Sequence, residues 1–355
     1  MPQTPYKSYN SAMDNSQRIV TIKDIAQELK LSVSTVSRAL RDSAEIKLET
    51  KMLVKEVAAR LHYTPNPIAL SLKEKRSKII GVIVPEIANN FSSNTIAGIE
   101  DIAYKKGYHV LIFQSHERYE REKENVQLLV SRRIDGLIIS LANETQCYDH
   151  LTDTIEKNIP LVMFDRVCHS INAHKVITND YFGAYNGVEH LIQQGYHNIA
   201  LITLPLNLSI TQNRLNGYKD ALKKYNLPVH DEWIIHSPID AVCSEMTIRK
   251  ILESDNRPDA IFISAERLNI ICIKVIKEMG LRIPDDIAIA GFSDNPITPY
   301  LAPALTSVKQ PTFNVGQKAA ELIIELIENN NTTTQYRTIQ LDTALDIQAS
   351  SRRRQ

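Results

Sequence analysis

No apolar run in the 355-residue chain approaches the roughly 18–20 residues that a bilayer-spanning helix needs. Residues 1–20 are polar and hold no apolar core of a secretory leader. These absences predict a cytoplasmic protein, neither exported nor embedded in a membrane. Cysteine is scarce and scattered. Cys147, Cys168, Cys243 and Cys272 form no Cys-x-x-Cys pair, which argues against a zinc ribbon or a thioredoxin-like site. Nothing implies an oxidising compartment, so they read as reduced and mostly buried thiols. Gly-x-Gly-x-x-Gly, Gly-x-x-x-x-Gly-Lys-Ser/Thr, Gly-x-Ser-x-Gly and His-Glu-x-x-His are missing too. The ten histidines are dispersed, and His62, His109 and His197 sit where core or surface roles suffice. The expectation is a protein that is not an enzyme, with no metal site and no cofactor.

The length suggests two or three compact units. Lys and Arg number 41, as do Asp and Glu, so the formal net charge is zero. That balance hides an asymmetry. Between Arg18 and Lys78 there are 13 basic and 7 acidic residues, and the remainder holds 28 basic and 34 acidic ones. A basic head on an acidic body is the layout expected if only the head meets phosphate.

Residues 1–18 are rich in Pro, Ser, Asn and Gln without periodicity, and we expect a disordered extension there. Residues 19–64 read as three short helices. Ile22, Ile25, Ala26 and Leu29 share one helix face. Val36 and Leu40 lie on a second helix, and Leu53, Val54, Val57, Ala58 and Leu61 on a third. The prolines of Tyr63-Thr-Pro-Asn-Pro67 then break the pattern. Residues 65–77 are assigned to a hinge and linker. Over 78–350, Ile- and Val-rich runs at 79–84, 109–113, 136–140, 161–164, 175–178, 199–203, 260–264 and 287–291 alternate with amphipathic stretches. This implies parallel strands covered by helices. Eight strands suffice for two doubly wound lobes, with a cleft at the carboxyl ends of the strands. Residues 351–355 read as a frayed tail, and 329–334 as a polar loop.

In the head, Thr21 is placed to cap the first helix, with Asp24 three residues on, and Ser32 to cap the second. The short spacing is that of a helix-turn-helix. The second helix turns Val33, Ser34, Ser37, Arg38 and Arg41 to its polar side. Arg38 carries the planar fork that matches the O6/N7 pair of guanine. Ser32, Thr35 and Ser37 suit phosphates, which position without specifying. On spacing alone, an ordinary three-helix bundle with a solvated Arg38 is an equal reading.

The run Val20-Thr-Ile-Lys-Asp-Ile-Ala, followed by Leu31-Ser-Val-Ser-Thr-Val-Ser-Arg38, resembles the signature of the lactose repressor and purine repressor family of bacterial regulators. The similarity continues through Leu61-His-Tyr-Thr-Pro-Asn66 and Ile68-Ala-Leu-Ser-Leu72, and then through most of the chain. The resemblance implies a homodimer that reads a pseudo-palindromic operator in double-stranded DNA. It implies a hinge helix at Asn66–Lys73 that orders on DNA, with Leu72 wedging open the minor groove. The DNA-facing set it gives is Thr21, Ser32, Val33, Ser34, Thr35, Ser37, Arg38, Arg41, Tyr63, Asn66, Ala69 and Leu72. Asn66 and Pro67 suit a helix start, and an eight-residue helix is unstable alone in water. Leu70 departs from the Arg or Gln usual at its position.

The body resembles the two-lobed type I periplasmic-binding-protein fold that this family carries. Landmarks include Val82-Ile-Val-Pro85, Arg132-Arg-Ile-Asp-Gly136, Ile159–Arg166, Arg214-Leu-Asn-Gly-Tyr218 and Gly291-Phe-Ser-Asp294. The implied fold is an all-α helix-turn-helix head on an α/β body with parallel sheets. The implied partner is a small sugar-like effector, held by Asn89, Phe91, Asp165, Arg166, Arg214, Ser293, Asp294 and Gln310. Asp165 and Arg166 follow a buried strand and offer acceptors and forked donors, for vicinal hydroxyls or an acidic group. Two positions depart from the family: Ala265-Glu266 stands for Asn-Asp, and Ser293 stands for an Asp. An alternative reading follows from them, a DNA-binding dimer whose body has lost ligand response.

Overall fold

The computed structural model describes residues 20–64, 76–237, 241–330 and 335–353. The chain divides into two compact units, Met1–Ser77 and Lys78–Gln355. The extension at 1–18 and the hinge positions Asn66, Ala69 and Leu72 lie outside the described residues.

The first unit contains α1 (Ile22–Glu28), α2 (Val33–Leu40) and α3 (Leu48–Arg60). Each is too short to persist alone, so tertiary packing must hold them. Ile25, Val36, Ala39, Val54 and Val57 form that core, with Ile22, Leu29, Leu40, Leu61 and Tyr63 packed against it. Leu53 corrects the sequence reading. It is 47% exposed, because Val54 and Val57 already fill the inward stripe of α3. Between α1 and α2, Lys30 adopts a left-handed φ of 53°, which lets the chain reverse in four residues.

The second unit is two α/β lobes threaded three times. The first lobe starts with β1 (Ile79–Val84), α4 (Asn90–Lys105), β2 (His109–Gln114), α5 (Tyr119–Ser131), β3 (Gly136–Ile139), α6 (Asp149–Glu156), β4 (Leu161–Phe164) and β5 (His174–Thr178). The chain crosses to the second lobe for α7 (Asp180–Gln193), β6 (Ile199–Thr203), α8 (Ser209–Lys224), β7 (Ile234–His236), α9 (Ala241–Leu252), β8 (Ala260–Ile263), α10 (Glu266–Glu278), β9 (Ala288–Phe292) and β10 (Thr306–Lys309). It returns for α11 (Thr312–Glu328) and β11 (Thr338–Leu341), then ends in the second lobe with β12 (Ala344–Asp346).

The sheet orders are β11-β5-β4-β3-β1-β2 and β12-β10-β9-β8-β6-β7. Pairing is parallel throughout except for β12, which runs antiparallel to β10. Each sheet has a hydrophobic core on both faces, which is why its central strands read as continuous apolar runs. The three crossings are tied together. Asn179 N–H donates to the Leu341 carbonyl at 2.8 Å, Asn179 Nδ2 to Asp342 Oδ1 at 3.2 Å, and Gln310 Nε2 to Thr178 Oγ1 at 2.8 Å.

The expected frayed tail is not free at its start. Ser350 and Ser351 are buried. The Ser350 hydroxyl donates to the Ile289 carbonyl and accepts from Thr306 N–H, which closes the strand ends of β9 and β10. Arg352 and Arg353 donate to the Ile347 and Gly195 carbonyls. The expectation of mostly buried thiols is half met, since Cys168 and Cys272 are buried while Cys147 and Cys243 are exposed. The polar loop at 329–334 is described only as far as residue 330.

In the first lobe α4 and α11 touch backbone to backbone. A Cβ on Gly316 would lie 2.0 Å from the Thr95 carbonyl oxygen, and one on Gly98 equally close to that of Phe313. Neither obstacle is a flexible side chain. Gly316→Ala is expected to cost about 1–3 kcal/mol through forced separation of the helices. Thermal unfolding checks this, and an unchanged melting temperature would show that the helices part freely.

Candidate functional site

Two surfaces carry candidate chemistry, one in each unit. In the head, the Ser32 hydroxyl caps α2 by accepting from Thr35 N–H at 3.0 Å. At α1 the Asp24 carboxylate accepts from both the Thr21 N–H and the Thr21 hydroxyl at 2.7 Å. Thr21, Ser32, Val33, Ser34, Arg38 and Arg41 are exposed, while Thr35 and Ser37 are half-buried. Short side chains therefore surround the start of α2, so its backbone can approach a partner closely.

Arg38 is not simply solvated. Its Nη1 donates to Glu45 Oε2 at 2.7 Å and its Nη2 to Ser34 Oγ at 3.0 Å. Both charged side chains are about half exposed or more, so the pair contributes little stability and yields easily to a competing acceptor. Tyr63 is half-buried against the head core, and its N–H donates to the Ala58 carbonyl.

In the body, the cleft lies between the lobes at the carboxyl ends of the strands, where open α/β sheets place ligands. The space between its walls, open solvent at the mouth included, is about 580 Å³. Asn89, Phe91, Asp165 and Arg166 line it from the first lobe, Arg214 and Ser293 from the second, and Gln310 from a crossing. Asp294 is not one of the wall residues. Its Oδ1 accepts from Gln310 N–H at 2.8 Å, which fixes the turn behind the wall. Asn89 is partly committed as well, since its Oδ1 caps α4 by accepting from Phe91 N–H at 2.8 Å. Ser293 Oγ accepts from Asn295 N–H at 3.3 Å.

The two arginines differ from the sequence reading. The family resemblance implies a ligand contact for Arg214. It is buried, with Nε donating to Asp180 Oδ1 at 2.7 Å and Nη1 to the Ser264 carbonyl. Its guanidinium carbon sits 3.8 Å from the centre of the Phe292 ring. Arg166 was paired by sequence with Asp165, but its closer partner is Glu117. Arg166 Nη1 donates to Glu117 Oε2 at 2.6 Å, whereas its Nε lies 3.9 Å from Asp165 Oδ2. That buried Nε has no hydrogen-bond partner. Asp165 itself takes a left-handed φ of 57°, a strained position for a non-glycine residue.

Sequence reasoning missed Glu117, Asp180, Glu266 and Phe292. Glu117 and Glu266 stand three residues past the ends of β2 and β8, so scanning every strand end for carboxylates would have found them. Glu266 bridges the lobes, its Oε1 accepting from Asn90 Nδ2 at 2.7 Å and its Oε2 from Asp294 N–H at 3.0 Å.

Burial pushes the Asp294 carboxyl up to about 7, opposed by the Gln310 hydrogen bond and helped by the Glu266 charge. Burial likewise pushes Asp165 up to about 6, Arg166 opposing. A carboxyl whose folded value is raised holds its proton where the unfolded chain, at 3.8, has lost it. Stability from this source is present at low pH and falls as pH climbs from about 4 through 7. Asp294→Asn keeps an acceptor oxygen for Gln310. It should raise the melting temperature at pH 8 and flatten its fall between pH 5 and 8. A parallel shift at every pH would exclude titration at Asp294 as the cause.

Comparison with known proteins finds matches to both units. The model for bacterial regulatory proteins of the lacI family matches residues 21–66, and that for a periplasmic binding protein-like domain matches residues 188–351. The ribose operon repressor of Haemophilus influenzae is 32% identical over 324 residues, 91% of this chain and 96% of that protein. The Lac repressor dimer bound to operator and the anti-inducer ONPF shares the fold, with a TM-score of 0.82 and 24% identity over 94% of this chain and 99% of that one. A LacI family transcriptional regulator from Enterococcus faecium with bound ribose gives a TM-score of 0.68 at 26% identity, over 77% of this chain and 98% of that one. With this head, this two-lobed body and a full-length relative above 30% identity, the chain belongs to the LacI family of bacterial regulatory proteins.

Proposed function

We propose that the protein is a sequence-specific, DNA-binding transcriptional repressor whose hold on its operator is set by a small sugar-like molecule in the cleft. It is not an enzyme, as its named relatives are repressors. One observation carries the reading. The chain joins a helix-turn-helix head, with Arg38 exposed on α2, to a cleft that gathers Asp165, Arg166 and Arg214 at the ends of two sheets. Two copies place two heads on a pseudo-palindrome, with half-sites about one helical turn, or ~10 bp, apart. The setting is the cytoplasm, where such DNA lies. Ser32, Ser34, Thr35, Ser37, Arg41 and Thr21 contact phosphates, Val33 and Arg38 face base edges, and Tyr63 supports the approach to the hinge. At the hinge Asn66, Ala69 and Leu72 enter the minor groove, where an apolar wedge kinks the duplex. Effector binding changes the lobe arrangement and so biases hinge pairing, a coupling of typically about 1–3 kcal/mol.

The reading of a body without ligand response is not favoured. Ala265 and Ser293 remove two polar partners, yet the walls keep Asp165, Glu117, Glu266 and both arginines. The experiment is selection of bound duplexes from a random pool, with and without a metabolite mixture. A two-fold symmetric consensus whose yield changes with the mixture is the expected result. A consensus indifferent to every metabolite would return the ligand-free reading, and no consensus at all would overturn the function.

A further inference from the structure

The charge already present in the cleft decides what charge its occupant can carry. Both wall arginines are neutralised by protein carboxylates. Arg166 gives Nη1 to Glu117 at 2.6 Å, and Glu117 is itself held by Asn143 N–H at 2.9 Å. Arg214 gives Nε to Asp180 at 2.7 Å, and both partners are buried to within a few per cent. Three further wall carboxylates remain. Glu86 faces His116 Nδ1 at 3.2 Å, and Glu266 is occupied by Asn90 and the Asp294 amide. Asp165 has no charged partner closer than the 3.9 Å to Arg166, and its carboxylate accepts no hydrogen bond from the described residues. The rest of the wall is uncharged: Phe91, Leu204, Ile210, Ala265 and Phe292 give it apolar surface, beside the polar Asn89, Ser92, Ser293 and Gln310.

We propose that this cleft takes an uncharged polyhydroxylated ligand and rejects its phosphorylated or carboxylated counterparts, with Glu117 and Glu266 as the residues that enforce the choice. The proposal rests on the reading of the cleft as the effector site and adds the charge of the effector to it. Hydroxyl groups supply the donors that Asp165 lacks, and their oxygens can accept from the unpartnered Nε of Arg166. The C–H face of a sugar ring suits the apolar wall. A phosphate has no donor for Asp165. At Arg166 it meets the Glu117 carboxylate on Nη1 and the Asp165 carboxylate 3.9 Å from Nε, so an added dianion crowds like charges around one guanidinium. Like charges juxtaposed in a partly desolvated site are the usual means of excluding a wrong ligand.

The test uses the full-length protein with matched pairs: D-ribose and ribose 5-phosphate, D-glucose with glucose 6-phosphate and gluconate, D-fructose and fructose 1-phosphate. Melting temperature and calorimetric affinity are read for each, and binding to the selected operator is followed in the same samples. At least one neutral sugar should bind at least tenfold more tightly than its anionic partner. Glu117→Gln should shrink that gap at least tenfold by freeing Arg166. Glu266→Gln should shrink it without touching either arginine, and serves if the first variant folds poorly. An ester or acid that binds more tightly than its neutral parent overturns the proposal, as does binding by none of the neutral sugars. A gap unchanged in both variants overturns the role of the carboxylates. A protein that holds its operator but answers only to an ester loses this inference and keeps its function, whereas one that selects no operator loses the function.

Discussion

Arg38→Ala is expected to weaken binding to the selected operator by about 1–3 kcal/mol per head, roughly 5- to 150-fold, and to relax base preference at one position of each half-site. The size follows from what the guanidinium gives up and gains. In the free head it is held by Glu45 and Ser34 at the surface, and an exposed ion pair of this kind is worth under about 1 kcal/mol. On DNA the proposed contact exchanges that pair for two hydrogen bonds to one guanine in a partly dehydrated groove. Two heads act on one operator, so the loss compounds. Glu45→Ala provides the opposite control. It removes the competing carboxylate and one negative charge beside Arg38, so affinity should hold or rise. Binding measured on the operator and on scrambled duplex separates the roles. Equal loss on both would mean that Arg38 contacts phosphate only.

The head was legible because its signals are local. Caps at Thr21 and Ser32 and a spacing of a few residues between helices survive in any environment that lets the core form. The central strands were legible for a different reason. Buried on both faces, seven of the eight expected runs appear as apolar interior strands, and the eighth, β2, is an edge strand that keeps the run Val-Leu-Ile-Phe113 although half exposed. Four strands escaped. Of these, β7, β11 and β12 lie at sheet edges, where half the side chains face water and the apolar run breaks up. The fourth, β10, is Thr306-Ser-Val-Lys309, whose buried hydroxyls are satisfied by Ser351 and by backbone carbonyls. Composition alone gives no sign of that. The cleft was half legible. Its position follows from strand ends, so Asp165 and Arg166 could be named, while Arg214, inside α8, came from the family resemblance. Their partners could not, because Asp180 meets Arg214, and Glu117 meets Arg166, only after the sheets are assembled.

The Arg214–Asp180 pair carries the largest expected effect on stability, and it changes how a ligand role for Arg214 must be tested. Alanine at 214 removes the cation and leaves the Asp180 carboxylate buried and uncompensated, with the Ser264 carbonyl also losing its donor. Breaking a buried pair from one side costs about 3–5 kcal/mol. For a domain of this size each kcal/mol lowers the melting temperature by about 2–4 °C, so a fall of roughly 10 °C is expected. Loss of effector response in that variant would therefore prove nothing about contact with the ligand. Replacing both members with apolar residues of similar volume, Arg214→Met with Asp180→Leu, removes the orphaned charge and keeps a side chain over Phe292. Much of the lost stability should return, since such exchanges are often neutral or better. In this restored body, operator binding that no longer responds to effector would place Arg214 on the ligand. A normal response would make the arginine a strut beneath the cleft wall and leave Arg166 as the only wall arginine at the ligand.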